Sequence, residues 1–304
     1  MTEALLSDSL VKWVIEQRRE LHRIPEPARE EHETSACLQA QLERMGFFPV
    51  RTGGTGFWCD CGTQGPIVAL RADMDGIRVQ EETGLPHASR HPGLMHACGH
   101  DGHMAMLLGA ARFFAHSPPR NIRLRFLFQP AEEQFGGAQD MIQAGAIDGV
   151  RMIFGAHLWT WLDAGQIASC PGPFMAQTER VFWTVRSRGG HAALPRGTGD
   201  AVVAAAALVN ALQTIASRGV NLPAEPAVLT IGELHAGSAP NVIASMAELR
   251  GTLRALAPEI MEHLRAGVRR ISDGTAQAFD CRIDVRFSGG YPALINDRTA
   301  FSLL

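Results

Sequence analysis

With 304 residues, 46% of them hydrophobic and 19% charged, the chain has ample material for a core and for one or two domains. A formal net charge of -3, with basic residues scattered rather than striped, leaves no electrostatic footprint for nucleic acid and excludes it as an expected partner. Six cysteines at irregular spacing are too sparse for a disulfide scaffold and point to a reducing, cytoplasmic setting.

The amino terminus mixes Glu3, Asp8, Lys12, Glu16 and Arg18 with apolar residues at helical spacing, which is not the basic-then-apolar layout of a secretion signal. Apolar positions Leu10, Trp13, Val14 and Leu21, then Leu38, Leu42 and Met45, predict two helices broken at Pro25 and Pro27 and closed by Gly46. Turns around Gly53, Gly54 and Gly56 follow, without the helix that a phosphate-binding loop needs. Cys59 and Cys61 sit one residue apart, too close for a zinc knuckle or redox motif, and read as turn or strand packing. Ile67 to Leu70 has the length of a buried strand. The pattern then predicts a helix over 103–115, a strand from Ile122 to Phe128, a helix ending between Met141 and Gly145, and a strand from Met152 to Ala156. Alternation of this kind implies an α/β fold with a mostly parallel sheet covered by helices.

After Pro171 and Pro173 the rhythm changes. A strand from Val181 to Arg186 precedes a helix capped by Asp200 that runs to Ser217, with Gly219 just past its end. Strands follow from Val228 to Leu234 and from Ala247 to Leu253, then a helix opened by Pro258 and stopping near Gly274, then a strand from Cys281 to Phe287. That βαββαβ order fits a small split βαβ, ferredoxin-like domain. The apolar run from Ala201 to Ala211 is bracketed by Asp200 and Asn210 and falls short of a bilayer span, so it reads as a buried helix and no membrane partner is expected.

Chemistry gathers where predicted strands end. Leu70 runs into Arg71-Ala72-Asp73-Met74-Asp75, Phe128 into Gln129-Pro130-Ala131-Glu132-Glu133, and Gly155-Ala156 into His157. Ligands collect outside the carboxyl ends of strands in open parallel sheets, so these clusters are expected to meet. The densest group is His96-Ala97-Cys98-Gly99-His100-Asp101-Gly102-His103, whose glycines let the backbone bend so that side chains converge. Thiol and imidazole donors suit zinc and its transition-series neighbours, and nearby carboxylates admit manganese. Of Glu132 and Glu133, one can bind metal while the other faces the attacking water, although the pair also reads as caps on a helix starting near Gly136.

Six stretches resemble the aminoacylase, hippurate-hydrolase and auxin-conjugate-hydrolase branch of the dinuclear metallopeptidases, in that family's order and along nearly the whole chain. They are Arg18-Arg-Glu-Leu-His22, Arg71-Ala-Asp-Met-Asp75, Met95-His-Ala-Cys-Gly-His-Asp-Gly-His103, Phe128-Gln-Pro-Ala-Glu-Glu133, Gly189-Gly-His-Ala-Ala193, and Asn241-Val-Ile243 with Arg250-Gly-Thr-Leu-Arg254. The resemblance implies a two-metal site, with two divalent ions (Mn, Zn, Co or Ni) on Cys98, His100, Glu133 and His157 and with Cys98 bridging. It also implies that Glu132 is the general base, that Asp73 orients a ligand histidine, and that His96 and His103 are not ligands. His191 would support the oxyanion, sometimes from a partner subunit, while Asn241 and Arg254 hold the substrate carboxylate. The expected activity is hydrolysis of an N-acyl amino acid, a small-molecule substrate, with a peptidase on the same site or a catalytically dead binding relative as alternatives.

The implied organisation is a catalytic domain over 1–175, an inserted satellite domain over 176–288 that makes a homodimer or higher homo-oligomer through its sheet edge, and the start of a return to the catalytic domain over 289–304. Departures occur at Gly76-Ile77-Arg78 and at Ala244-Ser245, near the expected substrate region. No histidine follows His263, whereas the family takes a further ligand from a carboxyl-terminal segment. The chain as given is therefore expected to be a shortened form with weakened metal binding and little amidase activity.

Overall fold

The computed structural model describes residues 7–304 apart from Gly53, Phe135, Leu222 and Pro223, so the turn expected at Gly53 and the reading that rests on Glu3 lie outside the described residues. Two compact units divide the chain between Gln166 and Ile167.

In the first unit α1 (Asp8–His22) starts where the Ser7 hydroxyl accepts the Leu10 N–H, and α2 (His32–Arg44) follows. Then come β1 (Val50–Arg51), β2 (Phe57–Cys61), β3 (Ile67–Asp73), α3 (His100–His116), β4 (Arg123–Gln129), α4 (Gly137–Gln143) and β5 (Val150–Gly155). The sheet order is β1-β2-β4-β3-β5. Only the β3 pairings, with β4 and β5, are parallel, while β1 with β2 and β2 with β4 are antiparallel. The sheet is thus mixed rather than mostly parallel. Gly62 to Pro66, the whole link between β2 and β3, is too short for the crossover that a parallel return requires, so the two strands run in opposite directions on either side of β4.

Both faces of this sheet are covered at its centre. Phe126 and Phe128 of β4 join Leu21, Leu38, Leu42, Met104 and Leu108 of the helices on one side. Leu127, pointing the other way, packs with Ala69, Met141 and Ala146. A strand covered on both faces keeps a polar side chain only where it is fully paired, as Arg125 of β4 is with Asp60 and the Ala146 carbonyl, and otherwise sends polar residues beyond its ends.

The second unit contains β6 (Gly172–Met175), β7 (Gln177–Arg186), β8 (Gly190–His191), α5 (Ala201–Arg218), β9 (Ala227–Ala236), β10 (Val242–Ile243), β11 (Met246–Ala255), α6 (Pro258–Ala278), β12 (Arg282–Ser288), β13 (Leu294–Asn296) and α7 (Arg298–Phe301). Its main sheet, β12-β7-β11-β9, is antiparallel throughout. Helices α5 and α6 share one core with the inward residues of that sheet, among them Trp183, Leu208, Leu249 and Leu264. Alternate residues of β11, such as Glu248, Arg250 and Arg254, are exposed.

Two sequence expectations need correction here. α5 is apolar and long enough by composition to cross a membrane, but it is a half-buried helix, with Leu208, Leu212 and Ile215 inside and Val203 50% exposed. Its apolar face is satisfied by the core of its own unit. α6 continues past Gly274 to Ala278, because Ser272 and Thr275 are buried in its packed face and outweigh a single glycine, whose cost in a helix is about 1 kcal/mol.

Candidate metal centre

The three polar strand ends lie side by side because β4, β3 and β5 are neighbours in the sheet. β3 delivers Asp73 and Asp75, β4 delivers Glu132 and Glu133, and β5 delivers His157, while Cys98 and His100 stand at the start of α3. Among the described residues potential donor atoms fall into three overlapping groups, each within 4.8 Å: Cys98, His100 and His157; His100, Glu132 and Glu133; Asp73, His100 and His103. His100 belongs to all of them.

Gly99 caps α3 at φ 84°, a left-handed conformation that favours glycine. Gly102 is different. It lies inside the helix, and a Cβ there would come 2.4 Å from Leu158 Cδ1, so its role is to admit Leu158 rather than to bend the loop.

Hydrogen bonding sorts the imidazoles. His100 Nδ1 lies 2.8 Å from the Asp75 carbonyl oxygen and must donate to it, which leaves Nε2 as the ring atom facing the cluster, to carry a proton or to bind a metal ion. That Nε2 is buried and has no hydrogen-bond partner among the described residues. It lies 3.6 Å from Asp73 Oδ2 and 3.9 Å from Glu133 Oε1. His157 Nε2 is 3.4 Å from the Cys98 sulfur. His103, by contrast, is fully used: Nδ1 donates to Asp73 Oδ1 at 2.6 Å and Nε2 accepts the Leu158 N–H at 2.8 Å. Both nitrogens of His96 are buried without a partner among the described residues, and burial pushes its pKa down to about 4, so it stays neutral.

The field of the site is set by its carboxylates. Burial alone would raise the Asp73 carboxyl, but the bond from His103 and the charges of Arg71 and His100 hold it well below the usual range. Burial, reinforced by Glu133 and Asp73, pushes Glu132 upward, the direction that suits a proton acceptor. Burial would lower His100, yet Asp75, Cys98 and Asp73 outweigh it and push the imidazole to about 11. This pocket calls for positive charge.

The turn bearing Glu132 and Glu133 is pinned by its backbone. Ala131, at φ 49°, donates its N–H to Glu31 Oε1 at 2.8 Å. The next two N–H groups go to Asp75, Glu132 to Oδ1 at 3.0 Å and Glu133 to Oδ2 at 2.9 Å. Behind the loop, Asp101 Oδ2 takes Arg18 Nε at 2.6 Å and His22 Nδ1 at 2.8 Å. The sequence assigned no role to Asp75, Asp101 or Glu31, and set His103 aside as a ligand only through the resemblance. Asp75 and Asp101 were visible inside quoted stretches, and Glu31 had no signal at all.

In the second unit His191 and Asn241 are adjacent, since β8 pairs with β10 and the Asn241 carbonyl accepts the Ala192 N–H at 3.1 Å. His191 Nδ1 accepts the Ala193 N–H at 3.1 Å, which leaves Nε2 to donate outward. Arg254 is not brought to them. It stands eight positions along β11 from Met246, roughly 26 Å at an extended rise of about 3.3 Å per residue.

The geometry has counterparts among known proteins. The chain is 41% identical over 297 residues to an N-acyl-L-amino acid amidohydrolase of Geobacillus stearothermophilus, covering 96% of this chain and 80% of that one. It is 42% identical over 296 residues to an N-acetyldiaminopimelate deacetylase of Exiguobacterium sibiricum, covering 95% of this chain and 79% of that one. Among solved structures, the Bacillus subtilis YXEP protein, a dinuclear metal-binding peptidase of the M20 family, superposes with a TM-score of 0.83 at 31% identity, covering 96% of this chain and 78% of that one. The family model for Peptidase family M20/M25/M40 matches residues 69–304. A match that begins within β3, runs through the polar ends of β4 and β5 and continues to Leu304 makes this chain a member of peptidase family M20/M25/M40, and a hydrolase of its amidohydrolase branch.

Proposed function

We propose that the protein is a metal-dependent amidohydrolase that cleaves the amide bond of an N-acyl amino acid to a carboxylate and a free amino acid. The observation that carries this reading is the buried Nε2 of His100, without a hydrogen-bond partner among the described residues and turned toward Cys98, Glu133 and His157 because Nδ1 is held by the Asp75 carbonyl. Thiolate, imidazole and carboxylate donors of Cys98, His100, Glu133 and His157 would hold a pair of divalent ions drawn from manganese, zinc, cobalt or nickel. When bound, such ions supply Lewis acidity at the scissile carbonyl and make water a stronger acid. Asp73 steadies the cluster through His103 and Arg71. Glu132 takes the proton of the attacking water and returns it to the leaving nitrogen. The activities named for the Geobacillus and Exiguobacterium relatives support an N-acyl amino acid as substrate.

On this reading residues 1–175 are the catalytic domain and 176–288 a ferredoxin-like satellite whose edge strand β9, paired on one side only, mediates self-association. His191 supports the developing oxyanion while Asn241 and Arg254 hold the substrate carboxylate. The span along β11 is too long for one small substrate to touch Asn241 and Arg254 of the same chain, which favours two copies contributing to each site. The cysteine composition favours a reducing cytoplasm.

The test is a panel of N-acetyl and N-benzoyl amino acids beside dipeptides, each assayed for amine release after loading with manganese, zinc, cobalt or nickel. Hydrolysis of N-acyl amino acids above dipeptides is expected, and faster dipeptide turnover would move the protein to the peptidases. Mixing Glu132→Gln chains with His191→Ala chains is expected to restore activity if sites are shared between copies, and no recovery under subunit exchange would end that part.

A further inference from the structure

The turn after β5 is apolar where surface turns are ordinarily polar. Directly behind His157 stand Leu158, Trp159, Trp161 and Leu162, and the Leu162 N–H donates to the Trp159 carbonyl at 3.3 Å, which folds Trp161 back beside Trp159. The two indoles meet edge to face with centroids 5.5 Å apart, and Trp159 meets the His157 imidazole at the same spacing. All four apolar side chains are exposed, Trp161 by 84% and Trp159 by 42%. A contiguous apolar patch left in water marks a binding surface.

This patch is continuous with the donor cluster through His157, whose Nε2 faces the Cys98 sulfur at 3.4 Å. The start of the turn is tied down, since the Leu158 N–H goes to His103 Nε2 at 2.8 Å and the Leu158 carbonyl takes His157 Nδ1 at 2.6 Å. Strand order decides which part of a substrate meets the indoles. β4 and β5 flank β3, so Glu132, after β4, and the tryptophans, after β5, stand on opposite sides of the β3 end. A group that protonates the leaving nitrogen must stand on the nitrogen's side of the scissile carbonyl. The other substituent of that carbonyl, the acyl group, then extends past His157 toward Trp159.

We propose that Trp159 and Trp161 form the acyl-group subsite of this centre and select apolar acyl groups longer than acetyl. The inference rests on the reading of the protein as an N-acyl amino acid amidohydrolase with Glu132 as its base. From His157 the rings follow in two steps of 5.5 Å, so an acetyl methyl stops at the first while a linear acyl chain covers both. Each methylene laid on them leaves water. The patch begins at a donor histidine and lies on the side of the cluster away from the base, which makes the substrate its occupant.

The experiment titrates the cobalt-loaded Glu132→Gln chain, which should hold substrates without turning them over, with N-acetyl-, N-butanoyl-, N-hexanoyl- and N-octanoyl-L-alanine in a calorimeter. Kd is expected to fall by about 50-fold from acetyl to octanoyl, about twofold for each methylene set against half-exposed rings. Adding Trp161→Ala should shrink that gain to about fivefold, because the second ring no longer covers the chain end, and Trp161→Phe should restore most of it. A flat series overturns the proposal. So does an equal loss across the whole series in Trp161→Ala, which reduces Trp161 to a support for the turn. Turnover of the same compounds by the cobalt-loaded parent separates the two readings. Cleavage with a flat binding series sinks the acyl subsite alone, whereas a steep series with no compound cleaved sinks the amidohydrolase reading and the subsite with it.

Discussion

The two sheets of this chain handle polarity in opposite ways. In the first unit β4 is buried along nearly its whole length and the sheet carries cores on both faces, so the acids and histidines sit beyond the strand ends, where Asp73, Asp75, His100 and His103 are buried and bonded to one another while Glu132 and Glu133 are half-buried and His157 is exposed. In the second unit the main sheet keeps one face open, and charged residues such as Arg250 and Glu233 stand along it, more than 45% exposed, pairing across strands in water. The first arrangement concentrates charge in a place shielded from solvent, where each group changes its neighbours strongly. The second spreads charge where solvent screens it. Chemistry belongs to the crowded strand ends rather than to the richly charged surface.

That contrast breaks most sharply at Cys98. Cys98→Ala is expected to lose bound metal outright, measured as metal per chain after dialysis, because no neutral side chain replaces a thiolate donor. Full occupancy would remove Cys98 from the cluster. Next in size, Glu132→Gln should retain metal while turnover falls by at least about 10²-fold in a steady-state assay. Core truncations sharpen the comparison further. Leu108→Ala and Leu208→Ala, both at fully buried positions, should each cost about 2–5 kcal/mol in denaturant unfolding. Only Leu108→Ala, on the helix that begins at His100, should also weaken metal binding in a titration. Equal weakening by both would erase the distinction between the units. The smallest effect belongs to the open face: Arg250→Ala, which parts from Glu233 at 3.4 Å, should move stability by less than about 0.5 kcal/mol.

Much of this was readable before any coordinates. The apolar runs at Ile67 and Ile122 became β3 and β4, and the polar clusters after them came together as adjacency of the strands demands. Residue type marked the donor-rich loop and strand ends, and the family resemblance then singled out Cys98, His100, Glu133 and His157, which lie there together with Asp73, His103 and Glu132. What escaped were residues whose role lies in the direction of a bond. The exclusion of His103 as a ligand came from the resemblance alone, and its physical reason, the engagement of both ring nitrogens, appears only in the fold. Asp75 acts through backbone N–H groups distant in sequence, and Glu31 reaches Ala131 across the fold. The mixed sheet escaped for another reason: strand direction is decided by connection lengths that periodicity does not report.

Leu158 leans over Gly99 and fills the space that Gly102 leaves open, while its N–H is tied to His103 and His157 precedes it in the chain. Volume at position 102 and volume at position 158 are thus exchangeable quantities, and their sum is what the centre can tolerate. A single methyl added by Gly102→Ala has room only if Leu158 Cδ1, the end of a half-exposed side chain beside His157, turns aside. Gly102→Ala should accordingly lower metal affinity only slightly, and adding Leu158→Ala should suppress that loss, a rescue that a cobalt titration would register and that independent sites could not produce. A glycine in the first turn of a helix and a leucine far along the chain are, for natural variation, one locus.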